Sequence, residues 1–447
     1  MEFGIKIALY NSGNFFRRKN MNKLGKYSRG VSIIGVGCTP FVNSLKHPDF
    51  QGITESELYA YAAIEAMKDA GIGPKDLQGF IHGQAGAVPT SNQNTPNVHV
   101  SEWFGAHGLG SIAHSEACCT GYIGLDLAVQ GVASGKYDIM LSGCVDMGTS
   151  IFQKGKPAQF REKLTREGFQ EMVERVYDRT YVQQLEAGEW VSQDDWFNEY
   201  MRTYGYSEKY VDDGLNALTI SNRRNASKNP LALFRTEFED MAKIAGYDDV
   251  MEYMRSDEHN PLVSRYLRRN GFEARADGAA ACIVCPTEFA HKYTDNPIEI
   301  LGFGNSVVDA INPHLEREAT AEAMRLVYDV TGVKPDEIDL LLVNDFFVSS
   351  SFLAAEESGY IPRGKVVEYA LAGRLAFDGD KPMNTTGGRC SFGHAHAASG
   401  MADIYEAVMQ MRGNAGERQI KNKPRTVMLR GYGGGQNVCA GILRTVK

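Results

Sequence analysis

Long hydrophobic runs are missing from this sequence. No stretch of 18 or more apolar residues occurs in its 447, so no segment is long enough to cross a bilayer as a helix. Cysteine is scarce: eight residues in the whole chain, without a spaced framework, exclude a disulfide scaffold and point to a reducing, cytoplasmic setting. Positive charge is in deficit, with 47 Lys and Arg against 55 Asp and Glu for a net −8, which disfavours a nucleic-acid binder lacking a segregated basic face. Neither a nucleic-acid nor a membrane partner is expected. The first thirty residues hold seven Lys or Arg and one acid, Glu2, but lack the apolar core and small-residue cleavage site of a secretory signal. Residues 1–30 read as an N-terminal arm, with 1–20 either an upstream start-site extension or a disordered segment.

What is present is a 43% hydrophobic composition, ordinary for a chain with a large packed core. VSIIGVG from Val31 reads as a buried strand. SELYAYAAIEAMKDAG from Ser56 reads as a helix, with Leu58, Ala62, Glu65 and Ala66 at helical spacing and Gly71 and Pro74 as stop signals. QGFIHG reads as a second strand. The same arrangement recurs late in the chain. Glu65-Ala66-Met67 before Gly71-Ile72-x-Pro74 is echoed by Glu322-Ala323-Met324 before Gly332-Val333-x-Pro335, and Ile139 to Gly143 by Val427 to Gly431. Two echoes in one order imply a duplicated α/β unit, hence two mostly parallel sheets about a pseudo-twofold axis, an αβαβα sandwich.

The expected divisions are an N-terminal half at 31–148, an inserted helical loop domain at 149–275, a return strand of the N-terminal half at 276–295 and a C-terminal half at 296–447. The insertion carries Trp190, Trp196 and many tyrosines among charged residues, a composition suited to capping a site.

Cys118 stands where a strand gives way to a helix, a position that lowers a thiol pKa and prepares a nucleophile; for a lone cysteine, a buried small hydrophobe is the commoner use. His394 follows a glycine-rich approach and precedes a small-residue helix start at nearly the same place in the second half. A pseudo-twofold axis would pair the two as nucleophile and base. Asn344 follows the strand IDLLLV, where open α/β sheets bind ligands. Gly433, in the run Gly431-Tyr432-Gly433-Gly434-Gly435-Gln436, allows backbone N–H groups to approach an oxyanion. Each could instead be a turn or loop residue. Cys282-x-x-Cys285 has metal spacing but no second pair, so buried strand cysteines are the better reading and no metal is expected.

Taken in order, Cys118-Cys119-Thr120-Gly121, Asn344-Asp345-x-Phe347, Gly393-His394 with Ala398-Ser399-Gly400, and Gly433-Gly434-Gly435-Gln436 resemble the four active-site motifs of the thiolase superfamily. Asp146-Met147-Gly148, Asn229-Pro230-x-Ala232 and Asp277-Gly278-Ala279-Ala280 add to the likeness, which runs from Val31 to the end and is closest to the sterol-carrier-protein type. The resemblance implies α/β architecture of the duplicated, five-layered thiolase fold, a homodimer core, and acyl-CoA as substrate with coenzyme A as co-substrate and no prosthetic group. It implies Cys118 as acylated nucleophile, His394 as its base, Asn344 holding a water for one oxyanion hole, and the N–H groups of Cys118 and Gly433 forming the other.

Two departures stand out. Thiolases commonly carry a second, acid/base cysteine where this chain has Gly431 or Phe346, leaving Cys390, His396 and Tyr432 as candidate substitutes. Arg389 occupies a usually small position, where it would either clamp a substrate carboxylate or form a surface ion pair. The chain also resembles the branch that works with a small zinc-ribbon/OB-fold partner and is similar to benzoylsuccinyl-CoA thiolases. That implies cleavage of a β-keto acyl-CoA, with benzoylsuccinyl-CoA giving benzoyl-CoA and succinyl-CoA. A thiolase-fold retro-aldolase acting on a β-hydroxy acyl-CoA, for which Tyr432 could serve, a condensing β-ketoacyl synthase and a non-catalytic scaffold subunit are the rival readings.

Overall fold

The computed structural model describes residues 24–85, 94–149, 193–194, 196–307, 315–433 and 437–446. The N-terminal segment 1–20, Trp190 and Gly434 to Gln436 lie outside the described residues. The strands are β1 (Val31–Cys38), β2 (Gly79–Gly83), β3 (Gly110–His114), β4 (Met140–Met147), β5 (Asp277–Pro286), β6 (Ile298–Val307), β7 (Leu340–Val343), β8 (Thr426–Gly433) and β9 (Asn437–Thr445). The longer helices are α1 (Glu55–Asp69), α2 (Thr120–Ala133), α3 (Glu208–Ser227), α4 (Leu315–Thr331), α5 (Val348–Glu357) and α6 (His396–Arg412).

Local chemistry sets the ends of α1. The Thr54 side chain accepts from the Glu57 N–H while the Glu57 carboxylate accepts from the Thr54 N–H, a reciprocal cap that satisfies two otherwise unpaired donors. Gly71, at φ +65°, turns the chain out of the helix as its sequence position implies. Leu58, Ala62 and Ala66 are buried, whereas Glu65 is exposed and pairs with Lys68.

Pleating then sorts the side chains into layers. Along β5, Ala279, Ala281 and Ile283 join the cluster under α1, whereas Ala280, Cys282 and Val284 join the cluster around α2 and α6. Along β8, Val427 and Leu429 face that same central cluster, and Met428 and Tyr432 face the one containing α4 and α5 residues. Since successive strand residues point to opposite faces, the result is helix, sheet, paired central helices, sheet, helix. Cys282 and Cys285 fall in different clusters, so they face opposite sides of β5 and cannot share one ion.

The strand order is β3-β2-β4-β5-β1-β6-β9-β8-β7. About the β1/β6 joint, β5 answers to β9, β4 to β8 and β2 to β7, which is the expected duplication. Even β3 has an echo, because the parallel bridge of Leu341 to Met383 occupies its place beside β7. Two expectations need correction. The sheets are mixed: β2–β3, β2–β4 and β7–β8 are parallel, while β4–β5, β1–β5, β6–β9 and β8–β9 are antiparallel. They are also joined edge to edge, through the two residue pairs Ser32/Glu299 and Ile33/Ile298. Hydrophobic runs report burial and carry no information on strand direction, which the connections decide.

Candidate active site

β3 ends at His114, and α2 begins at Thr120. Between them Ala117 takes φ +47°, uncommon for a residue with a side chain, and sets Cys118 two residues ahead of the helix. The second half repeats the device: Gly393 at φ +110° precedes His394, two residues ahead of α6. The helices themselves touch at their backbones, since a Cβ at Gly121 would lie 2.3 Å from the Met401 nitrogen. This crossing brings Cys118 Sγ to 3.1 Å from His394 Nε2, with both residues buried.

His394 is poised to accept a proton. Burial, then the nearby His396, Arg389 and Arg275, hold its pKa well below the usual imidazole range, so the ring is neutral near pH 7. Its Nδ1 lies 3.1 Å from Ser399 Oγ, which also accepts from the Ala395 N–H at 2.9 Å. With Nδ1–H donating to Ser399, Nε2 presents its lone pair to the thiol. Asp146 fixes the start of α6, accepting from Ala397 N at 2.8 Å and from Ala85 N at 3.1 Å. Asn229 donates to the Thr386 carbonyl at 3.0 Å, and Leu233 N to the Phe392 carbonyl at 3.0 Å, so the inserted segment braces the loop carrying His394.

The remaining expected residues are distributed unevenly. A Cβ at Gly433 would lie 3.0 Å from the Glu116 carbonyl and 3.6 Å from the Cys118 nitrogen, so these two backbones adjoin, as an oxyanion hole requires. Asn344 is buried at the end of β7, donating to the Tyr432 carbonyl at 3.0 Å and accepting from Arg389 Nε at 3.3 Å. His396 stacks edge-on against His394 with centroids 5.1 Å apart, and desolvation, then the nearby Arg275, lowers its pKa to about 3, so its ring is neutral near pH 7. Cys390 packs against Asn222 and Ser391, with its pKa pushed up to about 11 by burial and Asp345. Tyr432 belongs to the outer cluster, on the face of β8 opposite Gly433, which removes it from the Cys118 side.

Arg389 departs from both of its expected roles. It is fully buried, and its guanidinium grips both oxygens of Asp403 at 3.1 and 2.6 Å. Asp403 also accepts from the Tyr122 hydroxyl. With Nε directed to Asn344, the group ties α2, α6 and β7 together and is spent on the protein, neither clamping a ligand nor lying at the surface.

Glu273 was not singled out by the sequence. Its side chain is 7% exposed, with the carboxyl 3.3 Å from His394 Nε2 and 3.7 Å from Arg275 Nε, and burial raises its pKa to about 7 against the pull of Arg275 and Arg389. The one available signal was an acid four residues ahead of the buried strand opening at Asp277. Among the described residues, Glu273, His394 and His396 set one candidate ligand atom each within 4.8 Å of the others, though a cation there would compete with the thiol for His394. A separate cavity of about 470 Å³, lined by Phe197, Leu215, Arg255, Tyr266 and Arg268 among others, lies within the insertion and includes none of these groups.

Residues 306–444 match the thiolase C-terminal domain-like family. The chain is 27% identical over 398 residues, 88% of its length, to an acetyl-CoA acetyltransferase of Methanothermobacter thermautotrophicus, covering 94% of that protein. It is 26% identical over 420 residues to the benzoylsuccinyl-CoA thiolase subunit BbsB of Thauera aromatica, covering 92% and 96% of the two chains. Among solved structures, the Ltp2-ChsH2(DUF35) aldolase superposes with a TM-score of 0.70 at 20% identity over 93% of this chain and 97% of that one. Human mitochondrial 3-ketoacyl-CoA thiolase does so at 0.65 and 14% identity over 94% and 100%. The chain therefore has the thiolase fold, matches a thiolase C-terminal domain-like family over residues 306–444 and is similar along most of its length to proteins named as thiolases and acetyl-CoA acetyltransferases.

Proposed function

We propose that the protein is a thiolase that cleaves a β-keto acyl-CoA with coenzyme A through an acyl-Cys118 intermediate. The contact of Cys118 Sγ with His394 Nε2 at 3.1 Å carries this reading: a buried neutral imidazole takes the thiol proton, and the thiolate attacks the ketone. Backbone donors at Cys118 and Gly433 then face the developing oxyanion. Intact-protein mass after incubation with acyl-CoA esters, including succinyl-CoA and benzoyl-CoA, tests it. One acyl adduct is expected in the wild type and none in Cys118→Ala; no adduct on either refutes the acyl-enzyme.

The relationship to BbsB supports benzoylsuccinyl-CoA as substrate, giving benzoyl-CoA and succinyl-CoA. That relative is a named subunit, and the aldolase neighbour's name carries a second, DUF35 component, which supports a partner protein; that it is a small zinc-ribbon/OB-fold protein on a homodimeric core is what the sequence resemblance implies. Light scattering of the chain alone and with such a partner tests the assembly. The eight cysteines are scattered along the chain without a spaced framework, which supports a cytoplasmic setting.

The aldolase neighbour favours a second reading, retro-aldol cleavage of a β-hydroxy acyl-CoA, in which no coenzyme A is consumed. The retained Cys118 and His394 pair, and the placement of Tyr432 in the outer cluster, weigh toward the thiolase. Counting free thiol during turnover separates the two.

A further inference from the structure

Cleavage of a β-keto acyl-CoA by Cys118 generates a carbanion at the α-carbon, which needs a proton at the moment the C–C bond breaks. His394 has by then received the thiol proton, and that proton is needed again to release Cys118. A second acid is therefore required. The two positions where thiolases commonly carry a second cysteine offer no acid here. At Gly431 a Cβ would meet the Tyr122 ring at 2.5 Å and Cys119 Sγ at 3.2 Å. At Phe346 there is an apolar ring, standing edge-on to His394 with centroids 6.3 Å apart.

Beside Phe346 lies Glu273, whose N–H donates to the Phe346 carbonyl at 3.0 Å. The next residues are stitched to the other loops: Ala274 N donates to the Arg389 carbonyl at 2.9 Å, while His394 N donates to the Ala274 carbonyl at 2.7 Å. The carboxyl is thus held on a fixed backbone. Its Oε2 approaches the same His394 nitrogen that touches the thiol, at 3.3 Å, yet without hydrogen-bond alignment, so that oxygen has no hydrogen-bond partner. A buried carboxyl oxygen left unpaired beside a nucleophile is the geometry of a group kept for a substrate.

We propose that Glu273 is the second acid/base of this site, protonating the departing α-carbon and then deprotonating the incoming thiol. The inference rests on the thiolase reading. In the first half-reaction the Cys118 proton moves to His394, sulfur bonds to the ketone carbon, the C–C bond breaks, and the Glu273 carboxylic acid gives its proton to the carbanion. Carboxylate and imidazolium then stand side by side. In the second half-reaction the Glu273 carboxylate takes the proton of coenzyme A, whose thiolate attacks the acyl-cysteine, and Cys118 recovers its proton from His394. The cycle closes without any further reactant. Burial, which keeps this carboxyl partly protonated near pH 7, suits it to both steps.

The test separates the two halves of the chemistry. Acylation of Cys118 by S-acetyl 4-nitrothiophenol releases a thiolate that needs no proton, so it calls on His394 alone. Thiolysis of acetoacetyl-CoA and benzoylsuccinyl-CoA calls on both groups. Glu273→Gln is expected to acylate within about threefold of wild type while thiolysis falls roughly 10²- to 10⁴-fold. Glu273→Asp, which keeps the acid and withdraws it, should recover part of that loss; it also serves if the Gln variant does not fold. Equal thiolysis in wild type and Glu273→Gln overturns the proposal and leaves the thiolase reading standing, and parallel loss of acylation and thiolysis overturns it in favour of a positioning role. A wild type that neither acylates nor turns over either substrate removes the thiolase reading itself and this inference with it.

Discussion

At the scale of single residues, the proposed site is a chain of proton positions, and each has its own signature. Ser399→Ala leaves His394 Nδ1 without its hydrogen-bond partner. The acylation rate should fall roughly 10- to 100-fold, since such orienting partners typically act on that scale, and stability by about 1–3 kcal/mol, since the buried Ala395 N–H loses its acceptor too; an unchanged rate would mean that the tautomer is fixed elsewhere. Glu273 holds its proton in the folded state up to about pH 7 against an ordinary 4.5. The native state therefore binds more protons than the unfolded one across that window, and stability falls as pH rises through it. Glu273→Gln should gain on wild type by up to about 3 kcal/mol between pH 4.5 and 7, as read by urea unfolding at pH 5 and pH 8; a constant difference would contradict the raised carboxyl. Arg389→Ala strands the buried Asp403 and should destabilise by about 3–5 kcal/mol, with no selective effect on substrates ending in a carboxylate. The meeting of Cys118 with His394 was legible because each is marked by glycine and helix-start residues in its own stretch. Arg389 and Glu273 were not, because what decides their roles, Asp403 on α6 and a nitrogen in the other half, exists only once the chain has folded.

At the scale of elements, the decisive contact is the crossing of α2 and α6. Any side chain at Gly121 must displace the α6 backbone, which a Cβ would approach at 2.3 Å. Gly121→Ala should cost about 1–3 kcal/mol as an overpacked core substitution and should also slow acylation, because the same helices carry Cys118 and His394 at their heads. A variant with a lowered melting temperature and wild-type acylation would show that the crossing and the pair are independent. The strands and helices could be read from periodicity, as in α1 with its Thr54 cap and Gly71 exit. Strand direction could not: β4 and β5 are equally apolar whether they run parallel or, as observed, antiparallel.

At the scale of the molecule, neither half has a complete core. Leu125 and Val129 of α2 share a cluster with Leu340, Leu342 and Leu429 of the second half, and Met401 and Ile404 of α6 share it with Cys144 and Cys282 of the first. Only two residue pairs join β1 to β6, so the halves are coupled through this central layer. Urea unfolding followed by circular dichroism should give one transition coincident with the loss of acylation, and a separate early phase would indicate that the halves melt apart.

The matched placement of Cys118 and His394, each two residues ahead of its central helix, has a consequence for how such a site can arise. Two identical half-length chains around a true twofold axis would present the same side chain twice, either two thiols or two imidazoles facing one another. An unlike pair at equivalent positions requires that the two copies be encoded separately. Covalent fusion is what gives each copy its own codon at that position, so descent from a symmetric ancestor would place the divergence into one thiol and one imidazole after the joining of the halves.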